Sequence, residues 1–118
     1  MPLITLWLKA FLLTVLVETP LAVTLLRPAE PRLGRRIALV LFANVASHPA
    51  VWFIFPGLGL PYIPMLILAE AWAVLSEALF YRLVFEKTGA VEALGISALA
   101  NGASFGIGLL VQAATGWI

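Results

Sequence analysis

Apolar residues run almost unbroken along the chain and are interrupted mainly by proline, glycine and charge. A helix that crosses a bilayer needs about 20 mostly apolar residues. Four stretches qualify, at about 3–26, 37–55, 61–85 and 93–117. The first stops at Arg27-Pro28 and the second at Pro56-Gly57. The pattern predicts an all-α fold: an integral membrane four-helix bundle, one transmembrane domain over residues 1–118. Its two tandem helical hairpins are joined by the loop Pro56–Leu60. A cleaved signal peptide is not expected, because the start lacks a basic region and Glu18 and Pro20 interrupt the apolar run.

Composition removes the alternatives. Hydrophobic residues are 63% of the 118 residues and charged residues 11%, against roughly 45–50% and about 25% in soluble domains. Mean hydropathy is +1.07. A soluble fold of this size could not hide so much apolar surface. Disorder is excluded by the same excess. A net charge of +1, with no basic run longer than Arg35-Arg36, excludes a nucleic-acid partner. The chain has no cysteine, so disulfides, thiolate metal sites and a Cys nucleophile are out.

Lysine and arginine set the expected orientation. Arg27, Arg32, Arg35 and Arg36 flank the first loop, and Arg82 and Lys87 flank the third; the middle loop has none and the N-terminal segment only Lys9. The first and third loops should face the cytoplasm of a bacterial inner membrane, with both termini outside. Trp7, Trp52, Tyr62 and Trp117 then fall near the outer interface, where aromatic rings are favoured.

The halves, about 1–58 and 60–118, resemble each other. Ala43-Asn44-Val45-Ala46-Ser47 matches Ala100-Asn101-Gly102-Ala103-Ser104 at four of five positions, and these hold the chain's only two asparagines. Glu18 lies eight residues before Leu26, and Glu77 eight before Phe85. Both hairpins start on the same side, so the expected repeat is parallel, about an axis along the membrane normal.

Ionisable residues inside a span are costly and usually face a bundle interior or a water-filled cavity. Three of the six glutamates, Glu18, Glu70 and Glu77, fall inside spans, and so does the one histidine, His48. Helical spacing puts Glu70, Glu77 and Tyr81 on one face, Asn44, Ser47 and His48 on another, and Ser97, Asn101, Ser104, Gly108 and Gln112 in a stripe. Thr14 shares a face with Glu18. The expected polar cluster is thus Asn44, Ser47, Asn101, Ser104 and Tyr81 around the ionisable groups, with an outer pair Glu70–His48. Lys9 would neutralise Glu70 or snorkel to the interface. Three carboxyls against one imidazole call for protons or a bound cation. Glu18, His48, Glu70 and Glu77 form a candidate set for a divalent ion such as Zn²⁺, Mn²⁺, Fe²⁺ or Mg²⁺. Pro20 and Pro49 would free the carbonyls of Leu16 and Val45 as further ligands.

Gly102-Ala-Ser-Phe-Gly106 has the G-x-S-x-G spacing but not the strand–turn–helix that string requires. Its glycines read better as a close-packing face. The Arg cluster also suits anionic headgroups. The leading expectation is binding or conduction of a proton or divalent metal through the Glu/His/Asn cluster, with a homodimer plausible for so thin a bundle. The rivals are a metal-dependent intramembrane enzyme acting on a lipid or peptide, and a non-catalytic accessory subunit or assembly factor of a larger membrane complex. Orientation is checked by single cysteines in this cysteine-free background. An impermeant thiol reagent applied to whole cells should modify Gly59→Cys and leave Glu30→Cys untouched; the reverse result refutes the assignment.

Overall fold

The computed structural model describes residues 2–118. Its helices are α1 (Leu3–Leu25), α2 (Leu33–Phe53), α3 (Tyr62–Val84) and α4 (Ala90–Thr115), with a short 3-10 turn at Phe55–Leu58. At 1.5 Å per residue they are about 31–39 Å long, enough for a hydrocarbon core about 30 Å thick. All four are long and apolar enough to cross a membrane.

The helix starts depart from the hydropathy reading at two places. α2 begins at Leu33 rather than near 37, and α4 at Ala90 rather than near 93. Hydropathy stops at a charge, but backbone hydrogen bonding continues through it. Arg35 and Arg36 therefore belong to α2, and Glu92 to the first turn of α4, where an acid suits the helix dipole. Arg36 is buried, and its guanidinium donates to the Val23 carbonyl near the end of α1. In the first loop the Arg32 side chain, then its backbone N–H, hydrogen-bond the Glu30 carboxylate and hold it down to about 2. Between α2 and α3 the chain reverses at Gly59, whose φ of +73° is strained for any residue with a Cβ.

The helices run up and down, each packed on its neighbours in the sequence, and α4 closes the ring against α1. Among the described residues the backbones of neither diagonal pair, α1 with α3 or α2 with α4, come close to each other. That leaves the axis of the bundle to be filled by side chains alone. At the end carrying the arginine-rich loop it is filled: Leu26, Val40, Tyr81, Phe85 and Ile96 form an apolar plug. Elsewhere the inward residues are small, such as Ala69 and Ala73, while Leu16, Leu75, Leu83 and Leu110 point outward. Water would not tolerate such an exterior, whereas lipid suits it, and small residues let membrane helices approach.

The prolines do not break the helices. Pro20 lies within α1 and Pro49 within α2. Leu16 and Val45, expected to lend carbonyls to the site, are outward-facing residues outside the cavity. A proline's ring and the carbonyl it frees lie on one side of the helix, and here that side is not the core. The expected packing of Gly102 and Gly106 is also absent within the chain, since a Cβ at either would meet nothing within 4 Å.

Phe85 tests the plug. In lipid the transfer term nearly vanishes, so Phe85→Ala should cost mainly its void, about 2 kcal/mol for roughly 100 Å³ at about 24 cal/mol per Å³. Leu83→Ala, on the lipid face, should cost far less. Detergent melts compare the two, and equal losses would contradict the plug.

Candidate functional site

Above the plug the open axis becomes a cavity of about 470 Å³. Its mouth lies between Trp52, Pro56, Tyr62 and Ile118, at the end opposite the arginine loop; its floor is Glu18, Asn101 and Ser104. The walls between are mostly apolar, with Leu13, Leu66, Ala69 and Phe105 among them.

The floor is a wired polar layer drawn from all four helices. The Ser104 hydroxyl donates to Glu18 Oε1 at 2.6 Å. The Asn101 amide donates to Glu77 Oε2 at 3.0 Å and to the Ser97 carbonyl at 2.9 Å. The carboxyls of Glu18 and Glu77 approach within hydrogen-bonding reach of each other, and the Ser47 hydroxyl lies beside Glu77. Glu18 and Glu77 are 1% and 2% exposed. Glu18 Oε2 is fully buried, and no N–H or hydroxyl among the described residues donates to it.

The remaining expected residues are placed differently. Glu77, Asn44 and Ser47 lie behind the floor and do not line the cavity. Asn44 donates only to the Val40 carbonyl of its own helix, at 3.1 Å. Tyr81 belongs to the apolar plug, its ring tilted against those of Phe80 and Phe85. His48 and Glu70 both line the cavity, but no hydrogen bond joins them among the described residues. The Trp7 indole donates to His48 Nδ1 at 3.1 Å, and Thr14 Oγ1 lies 3.3 Å from Nε2. A donor at Nδ1 requires a lone pair there, so the proton sits on Nε2 and the ring is neutral. Lys9 leaves Glu70 alone: its ammonium donates to the Trp117 carbonyl at 3.0 Å, 5.4 Å from that indole's centre. It is the snorkelling alternative that the structure adopts. Among the described residues, no three His, Asp or Glu side chains come together as a metal-ligand set.

Sequence reasoning missed the partners of His48. Trp7 and Thr14 are seven apart, two turns of one helix face, and that spacing was the available signal. Trp72 was also missed; its indole donates to the Ser47 carbonyl at 3.0 Å and ties α3 to α2. No protein-family model, curated protein or solved structure matches the chain, so the site is read from its geometry.

The wiring makes the two asparagines unequal. Asn101→Leu strips Glu77 of a buried donor and should cost about 1–3 kcal/mol. Asn44→Leu loses only a bond within its helix and should cost less than half as much. Unfolding in detergent measures both, and equal losses would contradict the wiring.

Proposed function

We propose that this chain is a small bacterial inner-membrane protein that binds and exchanges a small cation at the Glu18–Glu77 pair. The observation that carries this reading is the contact between the two carboxyls, with Glu18 Oε2 buried and lacking any other donor. Two carboxylates have only acceptors to offer each other. A contact this close needs a hydrogen or another cation between them. Two bare charges so near in a dry interior would repel and lack solvation.

A proton is the cation favoured by this geometry. One hydrogen between two carboxyls asks for no further ligands, and Asn101 and Ser104 already hold the outer oxygens. A divalent metal, whether Zn²⁺, Mn²⁺, Fe²⁺ or Mg²⁺, would need Glu18, Glu70, Glu77 and His48 to close on one point. His48 would then have to release Trp7 or Thr14. Exchange runs through the cavity mouth, because the plug of Leu26, Val40, Tyr81 and Phe85 closes the other end. In this reading the arginine loop faces the cytoplasm, both termini and the mouth face outward, and the two hairpins descend from one duplicated unit. A second copy against the free Gly102–Gly106 face would thicken the wall.

Difference infrared spectroscopy during a pH titration tests the shared proton. The wild type should show a protonated-carboxyl band that disappears as pH rises. Glu18→Gln and Glu77→Gln should each remove that band while keeping the fold, since the amide preserves shape and hydrogen bonding. The same variants should abolish the uptake of that proton by the purified protein in detergent as pH is lowered, read with a pH-indicator dye. An unchanged band and unchanged uptake in both would overturn the proposal and favour a structural role.

A further inference from the structure

We propose that the cavity is a binding site for a lipophilic primary ammonium ion. Its N–H groups dock on the Glu18 carboxyl, and its apolar body fills the space above. The inference rests on the shared proton proposed for Glu18 and Glu77, and adds the ligand that replaces it.

Size comes first. A cavity of about 470 Å³ falls within the range of small-molecule sites, about 300–1,000 Å³. A proton or bare metal ion has no use for such a space. Mostly apolar walls over a polar floor fit an organic body with one polar head.

The hydrogen-bond inventory gives the head its chemistry. At the floor every donor is spent: both Asn101 N–H groups go to Glu77 and Ser97, and the Ser104 hydroxyl goes to Glu18. Apart from the proton shared with Glu77, nothing in the floor donates to Glu18 Oε2, an acceptor. A ligand that brings donors completes this floor, and one that brings only acceptors leaves it worse.

Charge points the same way. The titratable groups around Glu18 are Glu77, Glu70 and the Tyr81 phenol from α3 and His48 from α2; α4 supplies only neutral Asn101, Ser104 and Gln112. No Lys or Arg lines the cavity among the described residues, and Lys9 is held at Trp117. The site thus has acidic groups and no cation of its own. An anion is repelled there. A primary ammonium supplies positive charge and three N–H donors together.

A neighbouring groove makes the ligand lipophilic. A groove of about 410 Å³ between α3 and α4 faces the lipid, and Leu66, Glu70 and Phe105 line both it and the cavity. Gly102 keeps that groove shallow-walled, with open space where a Cβ would stand. Leu66, Glu70 and Phe105 form the wall between groove and cavity, and a ligand dissolved in the bilayer enters by parting these side chains, without crossing the plug. When the ammonium seats, the proton between Glu18 and Glu77 leaves to solvent, so charge is conserved: one cation enters and one departs.

The test is isothermal titration calorimetry of the purified full chain in detergent with naphthylmethylammonium, against neutral naphthylmethanol. The ammonium should bind roughly tenfold or more tightly than the alcohol. Titrations in two buffers of different ionisation heat should report release of about one proton per ligand. Glu18→Gln should weaken ammonium binding roughly tenfold or more. Gly108→Leu should abolish it by filling the cavity, since a Cβ there meets only Leu13 Cδ2, at 3.9 Å; melts confirm that both variants fold. Equal affinity for the alcohol, unchanged affinity in Glu18→Gln, or binding without proton release overturns the inference. No ammonium binding by protein that keeps its carboxyl infrared band overturns this inference alone. Absence of that band in the wild type overturns the reading beneath it.

Discussion

A carboxyl group in hydrocarbon must find its partners inside the protein, because no water is there to serve it. Glu18 and Glu77 meet that constraint together. Each comes from a different hairpin, and they meet near the axis of the bundle, held at the outer oxygens by Ser104 and Asn101. This one layer joins α1, α3 and α4, and Ser47 brings α2 to the same point. Lipid tails offer no hydrophobic reason for helices to associate. The polar layer therefore fixes the rotation of each helix, and the rest of the packing follows from it.

The bundle is unlike at its two ends for a simple steric reason. The backbones of its diagonal helices stay apart, so whatever side chains stand inward decide whether the axis is closed or open. Tyr81, Phe85 and Leu26 are large enough to close it. Ala10, Ala69, Ala73 and Gly108 are not, and the cavity lies where they are. A buried acid thus has a hydrophobic wall on one side and a passage on the other. Such one-sided access is what the proposed exchange of a cation requires.

The four spans and the inward direction of Glu18, Asn101, Ser104, Gly108 and Gln112 were legible in the sequence, because length, hydropathy and helical period are local properties. The helix ends were less legible at Arg35, Arg36 and Glu92, where charge ended the apolar run before hydrogen bonding ended the helix. Lys9 could be read two ways. Its choice of the Trp117 carbonyl depends on the residues just after α4 lying beside α1, a contact across 108 positions. The two asparagines look equivalent in sequence, yet Asn101 reaches across to Glu77 while Asn44 stays on its own helix. Small differences in helix rotation decide that, and no local pattern carries them.

The sequence by itself determined four apolar helices, the placement of charge at their ends, and the presence of more acid than base inside the bundle. These follow from composition and periodicity, which need no partner to be read. Only the tertiary structure decided which acids meet, that His48 spends both nitrogens on Trp7 and Thr14, and that Tyr81 joins the plug instead of the polar layer. It also decided that a cavity exists. A void is what four helices leave between them, and it depends on distances between residues far apart in the chain, such as Leu6 and Gly108, 102 positions apart.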